Sequence, residues 1–549
     1  MKQHNPGIRL FLVFGLLFAH SLLTLPGLAQ ETKQESESDD VLEHITVTAR
    51  KQEVDLQKAA VAISVIDGED FAFSNVVRLD NFNGYVPGLV ISKNEGGGRV
   101  TSIRGVGWET YSNLSSQPSV LVYIDGIYLA NSLAMGMDLG EIERIEVLRG
   151  PQGTEFGHGT NGGAINIITK KPVLGETSGT LSGSLGNYDQ HRESASLNVG
   201  SDRLVLNASV QKNTRSGYAE IKGGELDGYD LDDADSLTAS VSLLWQPRDN
   251  ISLRFSGFQQ DADHGGAAQK NINDPNPNPR ELTQDYPSTF SLFNRSISAV
   301  LEWNVSANLT FRSLTGHQEL EKKASVDGDR LDEANTSIDL TGFGASNFDV
   351  LPYWDNNSDA FSQELSLTYA NEKTDWVIGV YYLDHENDND FLEAVGPAPF
   401  SQFADQLANP GPETLPPFVA PLSFVETRIV AREDQAVYGQ LTHRLNSTLA
   451  LTFGGRYQKE EVSDTNSQFW SDFSTRIVDN DDTTWKAGID FNLTENNLLY
   501  ALISTGWKNG GSNSGGVTGG LDVPAFYDPE EVTSSPPVTP TPWVATSCA

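Results

Sequence analysis

Trp485-Lys486-Ala487-Gly488-Ile489-Asp490-Phe491-Asn492-Leu493 alternates apolar and polar residues. In an extended chain Trp485, Ala487, Ile489, Phe491 and Leu493 share one face, and Lys486, Asp490 and Asn492 share the other. Successive side chains of a strand point to opposite faces, so the stretch predicts a ribbon that is greasy on one side and wet on the other. The pattern recurs outward along the chain. Leu204, Leu206, Ala208 and Val210 stand opposite Asn207, Ser209 and Gln211, and similar sets occur at Ile297-Ala299-Leu301-Trp303, Leu365-Leu367-Tyr369 and Leu449-Leu451-Phe453.

A half-buried strand of a soluble sandwich or repeat adhesin carries the same pattern. Two features favour a transmembrane antiparallel β-barrel. One face stays polar over about fourteen candidate segments between residues 177 and 506. Aromatics such as Trp303, Tyr369, Tyr381, Trp485, Tyr500 and Trp507 fall toward segment ends, where interfacial girdles sit. The stretches 261–290, 321–358 and 386–430 are expected to be extracellular loops, with brief periplasmic turns between the other strands.

The chain has 549 residues and a formal net charge of -37, which argues against nucleic acid as a partner, because phosphate binding needs clustered Lys and Arg. The single cysteine, Cys548, excludes a disulfide within the chain and any Cys-based zinc or iron–sulfur site. Lys2 and Arg9 precede an apolar run from Leu10 to Leu23, then Gly27 and Ala29. These are the parts of a secretory signal peptide, expected over residues 1–29 with cleavage after Ala29. The run is short of the roughly 20 residues a spanning helix needs, so membrane residence falls to strands.

Residues 30–53 read as a flexible acidic arm carrying the β-prone hexamer His44-Ile45-Thr46-Val47-Thr48-Ala49. Such a hexamer suits strand addition to a partner's sheet, or is simply the first strand of the next domain. Residues 54–172 read as a compact α/β block. Strands are predicted at Ala62–Ile66, Val100–Ile103, Ser119–Ile124, Ile142–Leu148 and Ala164–Thr169, with a short helix from Gly68 to Leu79 and glycines turning the strand ends.

The ordered set Val86-Pro87-Gly88-Leu89, Ile103-Arg104-Gly105, Tyr123-Ile124-Asp125-Gly126, Ile142 through Gly153 and Gly162 through Pro172 resembles the plug of TonB-dependent outer-membrane receptors. Phe361-Ser362-Gln363-Glu364-Leu365 and Ser504-Thr505-Gly506-Trp507-Lys508 agree with the family's barrel. The resemblance implies an N-terminal α/β plug inside the barrel lumen, 22 strands in the family and about fourteen encoded here. It makes His44 to Ala49 the TonB box, with TonB and outer-membrane lipid as partners and the Gram-negative outer membrane as the location. It implies no enzyme, catalytic residue, resident metal or cofactor. The function implied is active uptake of a scarce nutrient, foremost a ferric siderophore, with haem, vitamin B12 or oligosaccharide as other cargoes and a passive porin as the rival class.

Within the plug the resemblance singles out Arg104, Gly105, Asp125, Gly126, Glu143, Glu146, Arg149, Gly150, Pro151, Gly153, Gly162, Gly163 and Asn166 as core and turn residues. Buried arginine demands partners. For Arg104 and Arg149 these are barrel carboxylates, led by Glu364 as a plug–barrel contact, or Glu143 and Glu146 within the plug.

Glu155 and His158 depart from the family, where an aliphatic residue and an arginine are usual. A charged Glu155 must find a donor or stay wet, and His158 reads as a hydrogen-bonded structural histidine or a ligand contact. The acidic runs Asp230 to Asp235 and Asp384 to Asp390 lack an EF-hand pattern and read as solvated loops. His264, His317 and His385 come without a haem-loop motif. After residues 173–534, read as a partial barrel, the chain runs through a Pro-rich tail at 535–549 where relatives continue into another strand. The expectation is a chain truncated or frame-shifted relative to the family, and so a non-functional product; the alternative is a barrel smaller than in relatives.

Overall fold

A computed structural model describes residues 46–47, 54–55, 61–68, 78–93, 99–107, 114–138, 140–332, 348–397, 424–468, 473–494, 497–512 and 526–534. The expected signal peptide, most of the arm, the Gly68–Leu79 helix apart from its two ends, and the 535–549 tail lie outside the described residues.

Fourteen strands, from Ser178–Gly186 to Glu530–Ser534, form one sheet in which spatial order follows chain order. Every neighbouring pair is antiparallel, as in Leu449–Gln468 against Ser474–Thr494. Such a meander needs only short turns on one side, here at 371–373 and 445–448 among others.

The opening alternation sorts as anticipated. Trp485, Ile489, Phe491 and Leu493 stand exposed on the outer face, while Lys486 is 6% exposed and turned inward. Phe255, Ile297, Leu365, Ile378, Val437 and Phe453 join the outer face. In water so large an apolar belt would cost about 25 cal/mol per Å²; against lipid chains it costs nothing. On strand Phe348–Ala370 the belt runs from Tyr369, stacked on Trp376 at 5.7 Å, to Phe361, which tilts against Tyr382 at 6.5 Å. At about 3.3 Å per residue and a tilt near 40° that is about 20 Å of height, close to the apolar band of an outer-membrane barrel.

Two sequence expectations need correction here. Of the aromatics assigned to girdles, Tyr381, Tyr500 and Trp507 point into the lumen, Tyr381 against the plug's apolar cluster, Tyr500 toward Arg149 of the plug and Trp507 at 3% exposure beside His158. The long inserts are also strand in part: Leu309–Ser325, Phe348–Ala370 and Thr374–Pro397 run on into 321–358 and 386–430, and the acidic run Asp384 to Asp390 is paired throughout. Beyond the membrane both faces meet water. The backbone ladder continues there without an apolar alternation to betray it.

The plug holds a five-stranded sheet in the order Ile63–Asp67, Ile142–Arg149, Gly163–Thr169, Val120–Ile124, Ile127–Tyr128, and a separate three-stranded one of Leu89–Lys93, Arg99–Ile103 and Val106–Gly107. Gly163–Thr169 lies parallel to Val120–Ile124 and antiparallel to Ile142–Arg149. Both faces of this sheet are covered, which accounts for the continuous apolar runs in its strands. One face buries Val122, Ile145, Val147, Ile165 and Ile167 and reaches Leu292 and Leu320 of the wall. The other buries Leu121, Tyr123, Leu148 and Ala164 and reaches Ala360 and Leu383.

Glycines here do two different jobs. Gly150 and Gly163 have φ of +92° and +147°, a region that L side chains avoid. Gly153 and Gly162 do not; a Cβ at Gly162 would lie 2.6 Å from the Val106 carbonyl oxygen, so close packing excludes a side chain there.

Candidate functional site

Beside the apolar clusters, the seam between plug and wall carries charged groups, several of which meet a partner on the other side. Asp125 sits at φ +53° in the Tyr123–Gly126 turn, held there by its own backbone N–H donating to the Ile167 carbonyl at 2.9 Å. Its carboxylate accepts from the Thr169 backbone N–H at 3.0 Å and the Thr169 hydroxyl at 2.6 Å. It also accepts from Arg254 of the wall at 2.9 Å. Tyr123 donates its hydroxyl to the Phe156 carbonyl at 2.6 Å, tying this turn to the short Gly153–Phe156 helix.

Glu155, within that helix, and His158, just after it, reach the wall. Glu155 accepts from the Thr154 hydroxyl at 2.6 Å and pairs with the Lys486 ammonium, so its required donor comes from the inward face of the strand quoted at the outset. His158 is 5% exposed, its Nε2 3.2 Å from Glu460 and its Nδ1 3.5 Å from Asp434. Its backbone N–H donates to Gln458 at 3.3 Å, and its ring meets Trp507 edge-on at 5.9 Å. Arg432 completes the group, donating to Glu460 at 2.8 Å and to the Ser115 carbonyl at 3.3 Å. The structural reading of His158 is the one its surroundings favour.

The arginine expectation is corrected. Arg104 is exposed, at φ +54°, its backbone N–H donating to the Gly88 carbonyl at 2.8 Å ahead of Gly105. Among the described residues the groups acting on the Arg149 charge are Arg104 and Tyr500, and burial followed by the Arg104 charge pulls the Arg149 pKa down. The carboxylates named for it serve Arg144 instead: Glu146, fully buried, accepts from Arg144 Nε at 2.9 Å and Asn166 Nδ2 at 3.3 Å, and Glu143 also pairs with Arg144. Strand alternation explains the exchange, since Arg144 and Glu146 lie two residues apart on one face. Glu364 is buried and accepts from the Tyr438 hydroxyl at 2.7 Å. It looks toward the plug, where Tyr123 has its pKa raised by burial first and by Tyr128 and Glu364 among the nearby charges.

Pro151 offers its carbonyl to Ser504 of the wall at 3.3 Å, and Gly150 N–H donates to Gly162 at 2.9 Å. Gly126 packs its α-carbon side near Leu314 of the wall. Of the hexamer, Thr46 and Val47 are described; they pair antiparallel with Asp55 and Val54. Sequence reasoning missed the wall partners of Asp125, Glu155 and His158, because lumenal residues such as Arg254, Arg432 and Lys486 look like any polar strand position.

Toward the long-loop end a cavity of about 350 Å³ opens between plug segments 114–118 and 128–133 and the wall. Lys322, Trp354, Asn356, His385, Asn387 and Phe391 line its wall side. The three histidines weighed for haem do not converge on it. His264 stacks on Phe290 at 4.6 Å, His317 faces outward, and His385 bonds Ser358 at 3.0 Å. His317, Glu319 and Asp359 do bring ligand atoms within 4.8 Å of one another. Arg295 already holds both Glu319 oxygens, at 2.5 and 2.6 Å.

Residues 55–164 match the TonB-dependent receptor plug domain, and residues 253–535 match the TonB-dependent receptor-like β-barrel. The pesticin receptor of Yersinia pestis is 23% identical over 531 residues, covering 92% of this chain and 68% of that protein. The ferric enterobactin receptor of Pseudomonas aeruginosa is 27% identical over 322 residues, 48% of this chain and 39% of the other. The crystal structure of the ferric yersiniabactin uptake receptor of Yersinia pestis superimposes with a TM-score of 0.68 at 18% identity, over 86% of this chain and 67% of that one. A siderophore receptor of Acinetobacter baumannii gives 0.66 at 19% identity, over 87% and 70%.

Proposed function

The chain belongs to the TonB-dependent receptors of the bacterial outer membrane, transporters that catalyse no covalent step, and from that premise we propose that it imports a ferric complex of the siderophore class. The observation that carries the reading is the cavity at the long-loop end, bounded on one side by the plug and on the other by the wall. A ligand seated there touches both bodies, so its arrival can be felt at the plug. Relatives named for ferric enterobactin and ferric yersiniabactin supply the cargo class.

In this reading Thr46 and Val47 lie in the segment that TonB takes as an added strand, using backbone groups rather than side chains. A pull on that segment is transmitted to a plug held by Asp125–Arg254, Glu155–Lys486 and the His158 group. Charged contacts suit a seam that must open. Entering water can replace those polar partners, while the apolar contacts to Leu292, Leu320, Ala360 and Leu383 give up their burial energy when the plug moves.

The test is uptake of a radiolabelled ferric siderophore into iron-starved cells carrying the protein. Uptake is expected to stop when the proton gradient is collapsed and when Val47 is replaced by proline, which removes a backbone donor and a strand conformation. Binding at the cell surface is expected to persist in both cases. Uptake that survives gradient collapse makes the protein a passive pore and ends the reading.

A further inference from the structure

We propose that His317, Glu319 and Asp359, on the outward side of the wall, bind a divalent metal ion of the zinc class, one that takes nitrogen as well as oxygen ligands. The site is turned away from the lumen, and it stands or falls independently of the uptake reading.

Strand register builds it. Glu319 of Leu309–Ser325 lies directly opposite Asp359 of Phe348–Ala370, and Asp359 lies directly opposite Glu386 of Thr374–Pro397. Side chains so placed stand about 5 Å apart, and like charges there repel. His317 is two residues from Glu319 and so shares its face. Its Nε2 lies 3.3 Å from Glu319 Oε1 and 3.6 Å from Asp359 Oδ2, and the three ligand atoms are all within 4.8 Å of one another. A tetrahedral metal about 2.0–2.1 Å from nitrogen and oxygen sets its ligand atoms about 3.4 Å apart. Both separations from the imidazole match that spacing.

The surroundings supply orientation and charge. Arg295 donates to both Glu319 oxygens, at 2.6 and 2.5 Å. That clamp fixes the carboxylate as outer-shell partners do in metal sites, and lone pairs on each oxygen remain for an ion. Glu319, Asp359 and Glu386 carry three negative charges against the one guanidinium, an excess that a divalent cation cancels. Ile297 and Phe361, exposed on the apolar belt, flank His317 on the two neighbouring strands. The group therefore stands at the rim of the belt, where hydrocarbon weakens the screening of its charges and strengthens their hold on a cation. An imidazole with carboxylates favours zinc-class ions over magnesium and calcium, which take oxygen ligands. Bound there, the ion would stitch Leu309–Ser325 to Phe348–Ala370 from outside.

The test titrates the tag-free full chain in detergent micelles with zinc chloride, and separately with magnesium chloride, by calorimetry and by the melting temperature of the wall. One zinc equivalent is expected to bind at least about tenfold more tightly than magnesium and to raise the melting temperature. His317→Asn and Asp359→Asn should each weaken that equivalent by about tenfold or more. His443→Asn, at a histidine that meets Thr374 near the opposite end of the wall, should leave it unchanged. Heat-modifiable gel migration identifies folded variants, and each of the two substitutions tests the site without the other. No zinc bound by the parent protein, equal affinity for magnesium, or zinc binding that survives either substitution in a folded variant overturns the proposal.

Discussion

Asp125 of the plug and Arg254 of the wall lie 2.9 Å apart, each side chain about nine-tenths withdrawn from solvent. The pair joins two bodies far apart in sequence, so it reports on seating rather than on local folding. Asp125→Asn leaves Arg254 without its counter-charge, a change that typically costs about 3–5 kcal/mol for a buried pair. The variant is expected to expose the plug to added protease in intact outer membranes while the wall keeps its heat-modifiable migration. An equally resistant plug would show that Asp125 serves its own turn, through Thr169, and not the seam.

Glu155 and Lys486 make a second, independent pair across the seam. Glu155→Gln or Lys486→Met alone should lower the melting temperature of the plug transition, and the double variant should recover most of the loss. Coupling in such cycles commonly reaches about 0.5–3 kcal/mol. Additive losses would mean that the two side chains find water instead of each other.

Asp138 gives the pH dependence. It accepts from the Ser236 hydroxyl of the wall, and burial raises its pKa above 3.8, with Arg78 opposing. A carboxyl with a raised folded-state pKa favours the folded protein fully below the unfolded value and loses that contribution as pH climbs through the folded one. Asp138→Asn removes this slope. Denaturant titrations of parent and variant should therefore differ more at about pH 7 than at about pH 3, with the variant gaining relative to the parent as pH rises. A difference that does not vary with pH would assign the slope to other groups.

Gly163 begins the central strand of the plug at φ +147°, and a Cβ there would meet the Leu148 carbonyl oxygen at 2.1 Å. Gly163→Ala is expected to cost about 3 kcal/mol or more and to leave the plug sensitive to protease even without denaturant. Gly84, where a Cβ meets nothing within 4 Å although φ is also positive, is the control, and its alanine variant should lose far less.

Much of this architecture is written locally. Trp485 through Leu493 declares its two faces, and Ile142 through Gly153 declares a strand entering a glycine turn, because each depends on neighbours a few residues away. Contacts across the seam are not local. Nothing near Lys486 says that Glu155, some three hundred residues earlier, will face it, and nothing near Arg149 says that its companions will be Arg104 and Tyr500. The outer halves of Phe348–Ala370 and Thr374–Pro397 look like loops in the sequence for a related reason: a strand wet on both faces has no apolar period to show.

The plug sheet sets Ile63 beside Leu148, and Gly163 beside Val120, whereas each wall strand bonds to the strands next to it in the chain. Search time grows with the separation of the segments that must meet. The wall can zip up hairpin by hairpin from adjoining pieces, while the earlier-synthesised segment must wait for partners some eighty residues downstream. During export that segment reaches the periplasm first and completes its own sheet slowly, so holdase chaperones would find their longest-lived client surface in the first third of the chain.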